Sequence, residues 1–506
     1  MRPVLIRGCR ILGGPFCSVY VLDGRIERVG DEPLTLPADA EVIDANGGTL
    51  LPGLIDSHCH PFEYGWLKRS VDLRGTTNVT GLRLRLQAGV YRAAPGEWVT
   101  GMGWDQEAFP GKSLPSHLDI DDVSPNNPVA LTRVCGHIAL LNNRAMEQLG
   151  LAARQGGEFE RDAAGNLTGI VKEGALTEVY ARIPRSADRS AADLQSVEAE
   201  AARLGLTTLH CIVSPEGFAE ELEAMALLES SGALALRYRV YVPPEAIDAA
   251  DTWRSKLRGD KVRINGVKIY ADGSLGARTA ALRESYSDDP GNQGMLRYTD
   301  TQLTSLVDRA NTKGYQVIIH AIGDRAVEQA VDALSTVAGT ANPRRHRIEH
   351  ASLFPKDLRS KVARHGIRVT VQPLFITSDT WAEARLGKDR IADLYPLRSI
   401  FEDGIIASGG SDSPVESMSP ILAMWAAMTR GGDVQDESLD MSQAVALYTS
   451  NAASNGLDAL AEVKEGSPAN LTLLDSDLTG MHPALFRKLG GLATIADGIV
   501  VHSYGG

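Results

Sequence analysis

Apolar strand-like runs that each give way to an amphipathic helical stretch recur through the middle of the chain, and this recurrence restricts the fold more than any other feature. TTLHCIVS from Thr207 precedes PEGFAEELEAMALLESSG, GYQVIIHAIG from Gly314 precedes DRAVEQAVDALSTVAG, and RRHRIEHASL from Arg344 precedes FPKDLRSKVARHG. IRVTVQPLF follows that helix, and GIIASGGSD comes later. Strand followed by helix at this spacing is the pattern of parallel βαβ units. Sustained over roughly 250 residues or more, with no GxGxxG opening a helix after a strand, it predicts a (β/α)8 TIM-like barrel in preference to an open α/β sheet.

The two ends read differently. PVLIRGCRIL, SVYVLDGRIERVG and AEVIDANGGTLLPG alternate apolar and polar residues around the turn signals Asp23-Gly24 and Asn46-Gly47-Gly48, and the tail repeats the style in ANLTLLDSD and ATIADGIVVHSYGG. Residues 1–53 and 462–506 are therefore predicted to meet in one small β-sandwich domain, leaving 54–461 for the barrel. Between about 74 and 186 the alternation breaks down into Gly-, Pro- and Asp-rich segments. So long a loop needs structure of its own, so an inserted subdomain is expected after the first barrel strand, at the face where the βα loops emerge.

Within LLPGLIDSHCHPFEYG, His58 and His60 stand one residue apart at the end of an apolar run. On a strand their rings share a face while Cys59 points away, so the pair is suited to one ligand, and a metal ion is the first candidate. Other strand ends supply companions. Lys268 lies in VKIYADGSLGARTA, His320 ends QVIIH, His350 ends HRIEH, and Asp412 follows IIASGG. Each is where a barrel strand delivers a side chain to the C-terminal mouth. Taken singly, a strand-end His is a hydrogen-bonded structural residue and an Asp before Ser-Pro a turn or cap.

Charge and cysteine usage narrow the partners. The 506 residues carry a formal net charge of −13, which disfavours nucleic acid and anionic membrane and favours a small-molecule substrate. The five cysteines lack CxxC spacing, and MRPVLIRGCRILGG has arginines interrupting each apolar stretch. A reducing, cytoplasmic location without a signal peptide or membrane span is expected.

The ordered series HxH, Lys, His, His, Asp, headed by PGLIDSHCH and closed by GGSDSPV, resembles the amidohydrolase superfamily. GWDQEAFPGKSLP, LTRVCGHIALLN, GIVKEGAL, KIYADGSLGARTA and HAIGDRAV make it similar to the YtcJ-like branch, amidohydrolase family 3. That resemblance implies two divalent metal ions, zinc by ligand type. His58 and His60 would hold one, His320 and His350 the other, and Lys268, as N6-carboxylysine, would bridge them. Asp412 would be the last ligand and the proton shuttle. An unmodified ammonium offers donors only, whereas a carbamate is an anionic oxygen ligand. The implied activity is hydrolysis of a non-peptide or N-acyl C–N bond of a small molecule by a metal-activated hydroxide. A homodimer is the expected assembly.

Substrate-binding candidates by the same likeness are Arg133 and His137 in LTRVCGH, Trp104 in GWDQ, and Ser274 and Arg278 in ADGSLGART. Arg133 and His137 are read as orienting substrate or as fixing the insertion, Trp104 as a pocket wall or as core. Arg278 is read as a carboxylate clamp or as the partner of Asp272. Two alternatives stand beside the hydrolase. A mononuclear deaminase would use the same HxH and Asp, and a non-catalytic regulator would keep only the scaffold. The filled set of ligand positions argues against the second.

Overall fold

Eight short strands form the barrel, and most of their residues are buried. They are β1 (Leu54–Cys59), β2 (Leu206–Ile212), β3 (Arg237–Val242), β4 (Val262–Tyr270), β5 (Gln316–Ala321), β6 (Arg347–His350), β7 (Arg368–Val371) and β8 (Ala407–Gly409). The computed structural model describes residues 1–30, 36–151, 158–257, 259–432, 435–459 and 461–504 of the 506. Each barrel strand pairs in parallel with the next, from β1 to β8. Past β8 the chain returns to β1: the Asp412 N–H donates to the His58 carbonyl at 2.7 Å, and the His60 N–H donates to the Ser413 carbonyl at 2.8 Å. The sheet thus closes, and the open α/β alternative is set aside.

The helices between the strands face the barrel with one apolar side. Asp324–Ala338 buries Ala326, Val327, Ala330, Val331 and Leu334, the spacing that puts side chains on one helical face. Asp300–Thr312 begins with a capping box: the Gln302 N–H donates to Thr299 Oγ1 at 3.3 Å, and the Thr299 N–H donates to Gln302 Oε1 at 2.9 Å.

Both termini contribute to one eight-stranded sheet. Its N-terminal strands, among them Val4–Ile11 and Phe16–Leu22, join Leu471–Leu474, Gly491–Ala496 and Ile499–Ser503 through Thr49–Pro52. The edge at Gly24–Ile26 also meets the segment that leads into Leu471–Leu474, because the Ala469 N–H donates to the Gly24 carbonyl and the Gly466 N–H to that of Ile26. One core from Val4 through Ile26 to Ile495 fills the interior, so a single curled sheet supplies the two layers of a sandwich. The last two residues assigned to this domain lie outside the described ones. Thr472 fastens the sheet to the barrel, its Oγ1 donating to the Gly205 carbonyl at 2.6 Å and accepting from the Leu54 N–H at 3.2 Å.

The insertion is a separate compact unit, Gly65–Ser186. It starts earlier than the expected residue 74 because Val71–Asp72 is already the edge strand of its own six-stranded sheet, paired with Val99–Trp104. Val129 and Leu131 enter one apolar cluster and Ala130 the other, so this sheet is covered on both faces. Residues 152–157 of the predicted insertion lie outside the described ones. No helix among the described residues is long and apolar enough to cross a membrane.

His346, just before β6, sets the register that brings His320 and His350 together. Its Nδ1 accepts from the Val317 N–H of β5 at 2.9 Å, so the ring must stay neutral, and burial pushes its pKa down to about 4. Between that value and the ordinary 6.5 the unfolded chain binds more protons than the folded one, so stability falls as pH drops through this window. Urea denaturation at pH 6.5 and 4.5 is expected to show wild type losing on the order of 2–3 kcal/mol more than His346→Gln, which keeps an acceptor.

Candidate metal centre

The six predicted ligand positions come from five strand ends and converge at the C-terminal mouth of the barrel. His58 and His60 leave the end of β1 with ring centroids 5.6 Å apart. Asp412 follows β8, and its Oδ1 lies 3.1 Å from His58 Nε2 and 3.3 Å from His60 Nε2. These three residues form a group whose ligand atoms all lie within 4.8 Å of one another. Lys268 of β4 puts its Nζ 3.2 Å from His58 Nε2. The His350 ring lies 4.9 Å from that of His58 and 4.6 Å from that of His320.

His350 reaches this cluster through an unusual backbone. Glu349 and His350 are consecutive, yet both side chains meet His58, which an extended strand forbids. The φ of +72° at His350 and +45° at Ala351 turns the chain so that both face inward. Asp412 is likewise left-handed, at φ +55°. Gly410 is needed for another reason: a Cβ there would stand 2.6 Å from His58 Cβ and 2.8 Å from its backbone nitrogen.

Partners behind the imidazoles fix which nitrogen is free. His58 Nδ1 donates to buried Glu349, whose other oxygen accepts from Arg347 Nε at 2.6 Å. His350 Nδ1 donates to Gln372 Oε1 at 2.7 Å, and His320 Nε2 to the Gly273 carbonyl at 3.0 Å. Burial keeps the His350 ring neutral, so its Nε2 retains a lone pair. Burial raises a carboxyl, but Arg347 and His58 hold that of Glu349 well below the usual range, and His58 and His60 do the same for Asp412. Burial pushes Lys268 down to about 8 against the opposing pull of Glu349 and Asp412, and no carboxylate among the described residues pairs with it. Imidazole lone pairs, an ionised carboxylate and an unpaired buried amine are a donor set that fits divalent cations.

A model of the amidohydrolase family matches residues 41–502. The chain belongs to the amidohydrolase family. It is 30% identical over 510 residues to a putative amidohydrolase, YtcJ, of Bacillus subtilis (strain 168), covering 96% of each, which places it in the YtcJ-like branch. It is 26% identical to an N-substituted formamide deformylase of Arthrobacter pascens over 96% of this chain and 94% of that one. Among solved structures, an uncharacterized metal-dependent hydrolase from Pyrococcus furiosus superposes with a TM-score of 0.82 at 29% identity, over 95% of this chain and all of that one.

The remaining candidates of this amidohydrolase have other engagements. Arg278 pairs with Asp288 at 2.9 Å rather than with Asp272. Asp272 is instead fully buried, accepting from the Ala281, Ile322 and Gly323 N–H groups and so tying the loop after β4 to the one after β5. Ser274 is exposed in that loop, and its Oγ accepts from the Ala277 N–H. In the inserted unit Arg133 donates to Asp105 and Gln106, and His137 faces Glu173 at 3.3 Å. Trp104 is core, not pocket wall: it is fully buried, with Nε1 donating to the Leu131 carbonyl. The sequence reading missed Asp56, Arg347, Glu349 and Gln372. For Arg347 and Glu349 the signal was two charges at i and i+2 in a run otherwise read as buried strand, which forces them to pair.

Gly410→Ala is the sparing test of this packing. Its methyl meets the His58 backbone, so a loss of about 1–3 kcal/mol in stability is expected by denaturation, with a lowered metal content by elemental analysis.

Proposed function

We propose that this amidohydrolase cleaves a non-peptide, amide-type C–N bond of a small molecule, using two divalent ions, zinc by ligand type. The observation that carries the reading is the convergence of four imidazoles, one carboxylate and one buried lysine at a barrel mouth, each histidine ring except that of His60 oriented from behind by a partner of its own. His58, His60 and Asp412 would hold one ion, and His320 and His350 the other. Lys268 is suited to bridge them as a carbamate. Its Nζ lone pair would add to carbon dioxide, forming the N–C bond and releasing a proton, which replaces a buried cation lacking a carboxylate partner with an anionic ligand. Bound divalent ions lower the pKa of water and polarise a carbonyl.

Asp412 performs the proton transfer. Its carboxylate, kept ionised beside His58 and His60, takes a proton at Oδ from the attacking water and passes it to the leaving nitrogen, so the amine departs neutral. N-substituted formamides head the substrate panel, because the Arthrobacter pascens relative is named for deformylating them. N-acyl amino acids, cyclic amides and carbamates complete it.

Activity on at least one panel member is expected to vanish on dialysis against a chelator and to return with zinc, manganese or cobalt. Asp412→Asn is expected to lower kcat by about 10²–10⁴-fold. Undiminished turnover in the chelated enzyme or in that variant refutes the mechanism.

A further inference from the structure

The long loop after β4 carries three arginines, and two of them are taken. Arg278 pairs with Asp288, and Arg283 with Glu328 and Asp357. The third, Arg297, is exposed, and its guanidinium makes no ion pair or hydrogen bond among the described residues. Its backbone is fixed all the same. The Arg297 N–H donates to the Ala271 carbonyl, just past β4, at 2.8 Å, and the neighbouring Leu296 and Tyr298 pack against the barrel core.

The guanidinium faces Tyr270, the last residue of β4. Arg297 Cζ lies 5.7 Å from the centre of the Tyr270 ring, and Lys268 Nζ lies 4.8 Å from the same centre. The centre of the His320 ring is 5.4 Å away. One aromatic ring therefore separates a free guanidinium from two of the proposed metal ligands. Besides burial, the charges that act on the Tyr270 hydroxyl are those of Asp412, Glu63 and Glu216 and, with the opposite sign, Arg297. Neither glutamate forms an ion pair with Arg297. Their charge disfavours an anion elsewhere around Tyr270, so Arg297 fixes where one can sit.

We infer that Arg297, held over Tyr270, is a substrate-binding residue that anchors a carboxylate, and that the enzyme selects N-acyl amino acids over uncharged amides. A guanidinium left without a protein partner presents a planar fork that matches a carboxylate in two parallel hydrogen bonds. Its place one ring from Lys268 and His320 suits an anion only a few bonds from the amide. This rests on the hydrolase reading above for where the scissile bond lies.

The test uses pairs of formamides that differ by the carboxylate alone: N-formylphenylalanine with N-(2-phenylethyl)formamide, and N-formylalanine with N-ethylformamide. Affinity is read by calorimetry on the full-length, zinc-loaded protein carrying Asp412→Asn, so that the compounds are not consumed. The carboxylated member of at least one pair is expected to bind about tenfold more tightly than its neutral partner. Arg297→Gln is expected to abolish that ratio by weakening the carboxylated member alone. Arg297→Lys is expected to restore part of it, since an ammonium keeps the charge without the fork. With Asp412 intact, Arg297→Gln is expected to raise KM for the carboxylated member about tenfold and to leave the constants of the neutral one unchanged. No measurable binding of either carboxylated member, equal affinities within both pairs, a ratio that survives Arg297→Gln, or a loss shared by both members overturns the inference. Formate release is followed separately. A binding ratio that depends on Arg297, with no formate released from any member, upholds the anchor and counts against the hydrolase reading.

Discussion

The carboxylate of Asp56 joins the start of the barrel to its end. It accepts from Ser411 Oγ at 2.6 Å, from the Ser411 N–H at 3.0 Å and from the His58 N–H at 3.1 Å, bridging positions 355 residues apart in the chain. Burial raises this carboxyl to about 6, and the bonds from Ser411 and His58 draw it back toward the ionised form. That bridge adds to the two backbone bonds between β1 and the segment after β8, and together they fix Asp412 beside His58 and His60. Closure of the barrel and assembly of the candidate metal position draw on the same residues.

Strained backbone and buried charge both occur at the cluster. Left-handed backbone at non-glycine residues costs of order 1–3 kcal/mol each and persists only where the surroundings demand it. Among the residues that adopt it are His350 and Asp412, both in the cluster. A fully buried arginine–glutamate pair is similarly a poor investment in stability, since desolvation offsets the attraction. Its position behind His58 explains its presence better than folding does. The rest of the barrel, with its apolar strands and helix faces, bears the cost.

Much of this was legible in sequence because barrel strands announce themselves by apolar runs and deliver their last residue to one face. His58, His60, His320, His350 and Asp412 end or follow such runs and Lys268 lies within one, and their order together with the amidohydrolase resemblance groups them. The partners behind them were harder to find. Glu349 and Gln372 act across strands, and pairing distance is not written in local periodicity. His350 even violates the alternation that would have predicted its direction, through its positive φ. Trp104 and Arg278 were ambiguous for a related reason: a Trp in a short Gly-flanked strand and an Arg in a loop have several possible neighbours, and only tertiary packing chooses Leu131 and Asp288.

Anomalous diffraction at the zinc edge, from crystals grown without chelator, addresses the central claim most directly. The account predicts one peak bounded by His58, His60 and Asp412, a second beside His320 and His350, and density for a carboxylate continuing from Lys268 Nζ between them. A bare lysine amine with no anomalous peak at the barrel mouth would contradict it.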